Sequence, residues 1–194
     1  MGSKVVENIK KRLLNKLSNP PKNDYFDNWE DNLLDDIDKN LVELDLTDGS
    51  GNELNKKFKA IHSSSALCVN NFGIFKDKEL IKDFKIIGET EFINSILFEE
   101  KLATGLQGTK PNLDAYLENL NSIIGIESKF TEYFVKKKAS FEPSYNKENL
   151  GYLPNEVFDL IEKYSNKTGY LDVAQLLKHS IGLINKVINS PEKK

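Results

Sequence analysis

Glu127 and Lys129, two residues apart in the apolar run 123–134, and Asp114 before them are the side chains whose types and spacing could do chemistry. In a strand alternate residues share a face, so Glu127 and Lys129 point together while Ile126 and Phe130 point the other way. Alone, an acid and a lysine so spaced read as an exposed salt bridge. The preceding strand changes that reading, because Asp114, in Pro111-Asn112-Leu113-Asp114, is brought beside Glu127 by a short meander. Two converging carboxylates repel unless a cation lies between them, and an all-oxygen set suits Mg²⁺ or Mn²⁺. Lys129 then stands close to where an activated water would attack, which is the arrangement of a metal-assisted hydrolysis.

The elements that must position these residues follow from periodicity. Ile96, Phe98, Glu100 and Leu102 alternate with Leu97, Glu99 and Lys101, a strand. Gly105, Gly108 and Pro111 lead to a second strand at 112–117, residues 119–122 make a tight return, and 123–134 has the strongest strand propensity in the chain. Helices surround this meander. Val5, Ile9, Leu13 and Leu17 recur at intervals of four, and Trp29, Leu33, Leu34, Ile37 and Leu41 give the acidic stretch a near-helical apolar stripe. A turn is expected at 48–52, an interrupted helix from 53 to Gly73, and a short helix over 78–87. Two more are expected over 155–164 and 171–188, with Asn155 and Asp172 as caps. Helices, three consecutive strands and helices again predict an α/β (α+β) fold, a mostly antiparallel meander packed between helical layers. The division expected is a helical N-terminal extension over 1–54, carrying the acidic segment, and a main domain over 55–190.

Composition sets bounds on function. With 194 residues the chain can bury a sizeable core. No apolar run approaches the roughly 20 residues needed to span a bilayer, and no apolar signal core opens the sequence, so a cytoplasmic protein without membrane partner is expected. Cys68 is the only cysteine, which excludes an internal disulfide. The net charge of −3 conceals an asymmetry: residues 24–53 hold eleven acids against one base, Lys39, leaving 26 bases against 19 acids elsewhere, a body of +7. That sign attracts phosphate. Placed near a cleft, the acidic segment could mimic nucleic acid and restrain access. Arg12 is the only arginine, so bidentate guanine readout is nearly absent and weak or structure-dependent DNA preference is expected.

Asp114 followed by Glu127-Ser128-Lys129 resembles the signature of the PD-(D/E)XK nuclease superfamily, although Asp114 is preceded by Pro-Asn-Leu and not directly by proline. A wider string is similar to a little-characterised bacterial, restriction-endonuclease-like branch of it: the run from Ser63 to Asn70, Phe98-Glu99, Gly105 to Asp114, Ile124 to Glu132, and Gln175 to His179. The likeness covers about residues 63–183. It implies a restriction-endonuclease-like core, a central mixed sheet flanked by helices, and a metal-dependent nuclease cleaving DNA. Asp114, Glu127 and the Ser128 carbonyl would coordinate Mg²⁺ or Mn²⁺, and Lys129 would orient the attacking water or neutralise the phosphate. Glu99 is the third carboxylate the branch pattern favours, with Glu100 the alternative if the register slips by one. Relatives that cut both strands often dimerise, which makes a homodimer the form to test.

Other residues have two readings. Gln175, Lys178 and His179 lie within one helical turn and either reach a phosphate jointly or form an exposed polar face. Ser63, Ser64 and Asn70 either serve the substrate or merely start a helix. Glu132 and Tyr133 extend the third strand, where Glu132 supports the site or pairs with the lysines 136–138. Tyr145 either stacks on a base or plugs the core, and His62 reads as structural. The other function class is a nuclease-like domain that no longer cleaves and acts as a DNA-binding or interaction scaffold.

Overall fold

Alternating apolar side chains build the centre of the molecule, a three-stranded antiparallel sheet of β1 (Ser95–Lys101), β2 (Asn112–Glu118) and β3 (Ile123–Ile126), in that spatial order. The structure is a computed structural model and describes residues 2–48, 54–86, 91–108 and 110–190. β2 is the middle strand, and Leu113, Ala115, Tyr116 and Leu117 along it are all buried, so both faces of the sheet are covered. On one face lies α3 (Ser64–Phe72), whose Ala66 and Val69 pack with Phe98, Ala115 and Leu117. Leu33, Ile37 and, from α2 (Lys39–Asp48), Val42 and Leu46 join the same cluster, so residues on both sides of position 54 share one core.

The other face carries α5 (Val173–Ile188), whose Leu183 packs against Leu102, Leu113 and Tyr116. A Cβ on Gly182 would lie 2.5 Å from Leu102 Cβ, so this close approach of α5 requires a residue without a side chain. α4 (Asn155–Tyr164) covers α5 through Ile161, Leu177 and Ile181. β4 (Lys137–Lys138) and β5 (Thr168–Gly169) form a separate antiparallel ladder between β3 and α5 in the chain. At the N-terminal end, α1 (Gly2–Leu14) is tied by an ion pair of 3.1 Å between Lys10 and Asp24. Among the described residues no helix is long and apolar enough to cross a membrane.

Several elements depart from what periodicity predicts, some of them because side chains capture backbone donors. The third strand, expected over 123–134, ends at Ile126. Asp114 Oδ2 accepts the Ser128 N–H at 2.6 Å, and Glu132 Oε2 accepts those of Phe130 and Thr131, both at 3.0 Å. Donors that would extend a ladder are thereby taken, and the chain turns through a 3₁₀ segment at Glu132–Phe134. Glu127 and Lys129 therefore lie beyond the strand and not on its alternating face.

The acidic stretch is not one helix. Trp29–Asn32 is a 3₁₀ turn, and α2 begins only after Asp38, whose Oδ1 accepts the Asn40 N–H at 2.9 Å. The helix expected from residue 53 starts at Ser64, with Ser63 Oγ accepting the Ala66 N–H at 3.2 Å as its cap. In place of a helix over 78–87, of which residue 87 lies outside the described residues, there is a 3₁₀ turn at Leu80–Asp83, led in by Asp77. Pro154, not Asn155, is the cap position of α4, whereas Asp172 caps α5 as expected by accepting the Gln175 N–H at 3.1 Å. Of the turn expected at 48–52, residues 49–52 lie outside the described residues.

Candidate active site

β1 keeps its alternation only as far as Phe98. Glu99 has φ +52°, in the left-handed region that side-chain-bearing residues rarely adopt. Before it Ile96 and Phe98 face α3; after it Leu102 packs on the α5 side and Glu100 pairs with Lys186 of α5 at 2.8 Å. The pairing skips Glu99 but keeps one register on either side, with Phe98 opposite Ala115 and Glu100 opposite Leu113, so Glu99 stands level with Asp114. β2 switches sides at the same level, Ala115 packing toward α3 and Leu113 toward α5. Glu99, not Glu100, is consequently the acid turned into the cleft.

That cleft is open and about 580 Å³ in volume. Four carboxylates line it, Glu99, Asp114, Glu127 and Glu132, together with four lysines, Lys57, Lys110, Lys129 and Lys137. Asp114 and Glu127 thus meet on one side of the molecule. Burial, then the charge of Glu127, pushes the Asp114 carboxyl up to about 7; the Ser128 N–H and Lys129 pull against this, and Glu99 adds to it. One oxygen of Glu127 is ion-paired with Lys129 Nζ. The other, Oε2, faces His179 Nδ1 at 3.2 Å but out of line, so neither buried atom makes a hydrogen bond.

Glu99 is held at both oxygens: the Ser65 hydroxyl donates to Oε1, and Asn112 Nδ2 donates to Oε2 at 3.4 Å. Burial pulls the Lys129 pKa down, but its hydrogen bond to Glu127 and the charges of Glu127, Asp114 and Glu132 outweigh this and raise it, so the side chain stays an ammonium. Cys68, buried on α3, registers the same acids from below: burial and then Asp114, Glu99 and Glu127 push its thiol up, leaving it unreactive.

Ser63, Ser64 and Gln175 also line the cleft. Ser64 Oγ donates to Glu132 Oε1 at 2.5 Å, so Glu132 braces the turn that presents Lys129. Ser128 contributes its N–H to Asp114. Asn70 does not belong to the cleft: its Oδ1 accepts the Leu34 N–H and its Nδ2 donates to Asn32 O, both at 2.9 Å, so it pins a distant loop to α3. Lys178 also points elsewhere, its Nζ lying 5.8 Å from the Phe141 ring and 5.6 Å from that of Tyr145. His179 is buried beneath Glu127 and is no part of an exposed polar face. Of the three helical residues only Gln175 reaches the cleft.

Sequence reasoning did not single out Ser65, Asn112, Lys110 or Tyr25, and read His62 as structural. His62 lines the cleft with Nδ1 buried and unpartnered, its pKa lowered by burial. Ser65 had a signal in the serine run, while Asn112 and Lys110 flank the proline before Asp114. Among the described residues the acidic segment does not cover the cleft with its carboxylates. Among its described residues only Tyr25 is in the lining, and Asp45 instead accepts the Phe98 N–H at 2.9 Å, holding β1 in place.

Among the described residues no group of three or more His, Cys, Asp and Glu side chains is drawn together as a ready metal cage. The donor set nevertheless fits a hard dication. Asp114 carries repulsion from two neighbouring carboxylates that the Ser128 N–H and Lys129 offset only in part, and Glu127 Oε2 is a buried oxygen without a hydrogen bond. A cation between them would relieve the first and satisfy the second. In comparison with known proteins, the family model described as Restriction Endonuclease associating with ARP matches residues 6–190. No curated protein and no solved structure matches the chain.

Proposed function

The chain belongs to the family described as Restriction Endonuclease associating with ARP, and from that membership we propose that it is a metal-dependent nuclease of the PD-(D/E)XK kind, hydrolysing DNA phosphodiester bonds. The observation that carries the proposal is the meeting of Asp114 and Glu127 in one cleft, with Lys129 bound to Glu127. Asp114, Glu127 and the Ser128 carbonyl would hold Mg²⁺ or Mn²⁺, which when bound supplies Lewis-acid activation of water and charge neutralisation at the phosphate.

The remaining steps fall to side chains of the protein. Lys129, kept protonated by its acidic neighbours, serves as a cation toward the scissile phosphate and not as a base. Ser65 and Asn112 orient Glu99. His179 fills the space behind Glu127 and limits how far that carboxylate can retreat. Lys110 and Lys57 at the mouth of the cleft contact the phosphates on either side of the cut. The family description also names ARP, and a physical association with that partner is part of the proposal, as is a homodimer when both strands of a duplex are cut.

A second reading, a non-cleaving DNA-binding or interaction domain, is favoured by one observation: the Glu127–Lys129 ion pair already neutralises one of the proposed ligands. A cleavage assay on supercoiled, linear and single-stranded DNA with Mg²⁺ or Mn²⁺ separates the two. Wild-type protein nicks or cuts, while Lys129→Ala and Asp114→Asn do not. Equal activity of wild type and Lys129→Ala identifies a contaminant and sinks the nuclease reading. DNA binding without cleavage supports the second.

A further inference from the structure

Beside the cleft lies a smaller recess of about 120 Å³, mostly apolar, which shares Glu127, Lys129, Glu132, Lys137 and Gln175 with the cleft and has Asp172 beside Lys137. Its outer walls are Tyr133, Tyr170, Leu171 and Leu176, which are 48%, 58%, 63% and 37% exposed. The local fold explains how two tyrosines from distant parts of the chain come to frame one recess. Lys137 pairs with Gly169 in the β4–β5 ladder, so Tyr170 runs back beside Lys136, whose Nζ lies 5.3 Å from the Tyr170 ring centre. Tyr133 sits in the turn before β4, its ring leaning on Phe134 at 4.3 Å between centres.

We propose that this recess takes a single nucleobase, unpaired or swung out of the duplex, from the strand whose phosphate lies in the adjoining cleft. The inference rests on the nuclease reading and adds the state of the substrate to it. Aromatic walls offer π-faces for stacking that any base can use, and the backbone of that nucleotide would run at the mouth beside Lys129 and Lys137, cations that also pair with Glu127 and Asp172. The recess has room for one planar base and not for a base pair. A nucleotide can enter only where pairing is absent or broken, so single-stranded or locally opened DNA is preferred to an intact duplex.

Equilibrium binding of short oligonucleotides in EDTA, with 2-aminopurine at successive positions, tests this without cleavage. Wild-type protein is expected to bind the single strand more tightly than the same sequence as duplex, and to change 2-aminopurine fluorescence by stacking at one or two positions only. Tyr133→Leu and Tyr170→Leu keep apolar bulk on exposed positions but remove the ring. Each is expected to weaken single-strand binding about tenfold while leaving its salt dependence unchanged, since the phosphate contacts remain. Unaltered affinity in both variants, together with no position-specific fluorescence change in the wild type, overturns the base pocket and leaves the nuclease reading standing. A wild-type protein that binds no DNA at all overturns both. The fluorescence measurement needs no variant, so it decides even if a substitution unfolds the protein.

Discussion

Glu99 and Asp114 face each other across the β1–β2 ladder at the level where both strands exchange one side of the sheet for the other. Glu99 pays for that exchange with φ +52°, a conformation costing a side-chain-bearing residue roughly 1 kcal/mol. The hydrogen bond from Ser65 and the contact with Asn112 hold the carboxylate while the backbone is strained. Glu99→Gly and Glu99→Ala both remove the carboxylate, but only glycine relieves the backbone. Glu99→Gly is therefore expected to be more stable than Glu99→Ala by about 1 kcal/mol in urea denaturation. Equal stability of the two would show that the inversion carries no strain.

The same pair shows what could be read from residues and what could not. The meander was legible because period-two alternation survives in β1 and β2 up to the inversion, and the acids were legible because their types and spacing point to one chemistry. The inversion itself has no sequence signature, since a glutamate is not a residue expected at positive φ. The end of β3 was hidden for a related reason: its donors are taken by Asp114 and Glu132, and propensity does not count such competitors. Asn70 and Lys178 have polar side chains on helices near the site, yet their destinations are fixed by a loop at 32–34 and by two aromatic rings, contacts that only tertiary packing creates.

Asp114 makes the metal-free protein pH-sensitive in an unusual sense. Its carboxyl is raised from 3.8 to about 7, by burial first and by Glu127 second, so the folded state holds its proton more tightly than the unfolded state does. Its contribution to stability is fully present below 3.8 and is lost as pH rises through about 7. Asp114→Asn keeps an acceptor for the Ser128 N–H and removes the repulsion. In EDTA at neutral pH the variant is expected to be more stable than wild type by on the order of 1–3 kcal/mol, with the gap closing toward pH 4. Denaturation across that range measures it, and a gap that widens in acid would contradict the placement of Asp114 among like charges.

Glu132 behaves in the opposite way. Burial raises its pKa, but the Ser64 hydroxyl and the backbone N–H groups it accepts outweigh this and hold it below the ordinary value of 4.5. Its stabilisation is present above that value and is lost as pH falls through the lowered folded-state pKa. Glu132→Gln has one acceptor oxygen for three donors, so at least one is left unmatched. A loss of about 1–3 kcal/mol at pH 7, shrinking in acid, is expected from denaturant titration. Because Glu132 braces the turn carrying Lys129, cleavage should fall more than DNA affinity does.

Lys110 and Lys129 line the same cleft but have different surroundings, which separates binding from chemistry. Lys129 is half-buried and bound to Glu127, whereas Lys110 is exposed at the mouth. Lys110→Ala should weaken DNA binding and lower the slope of log affinity against log salt by about one, the release of a single counterion, with little effect on turnover at saturating DNA. Lys129→Ala should reduce turnover by about 10²- to 10³-fold even at saturation, as expected for removing a charge aimed at the reacting phosphate. It also leaves Glu127 without its ion-pair partner, so a modest loss of stability accompanies it. Binding isotherms at several salt concentrations and single-turnover cleavage on the same DNA distinguish the two residues, and an unchanged single-turnover rate in Lys129→Ala would mark the cleavage as that of a contaminant.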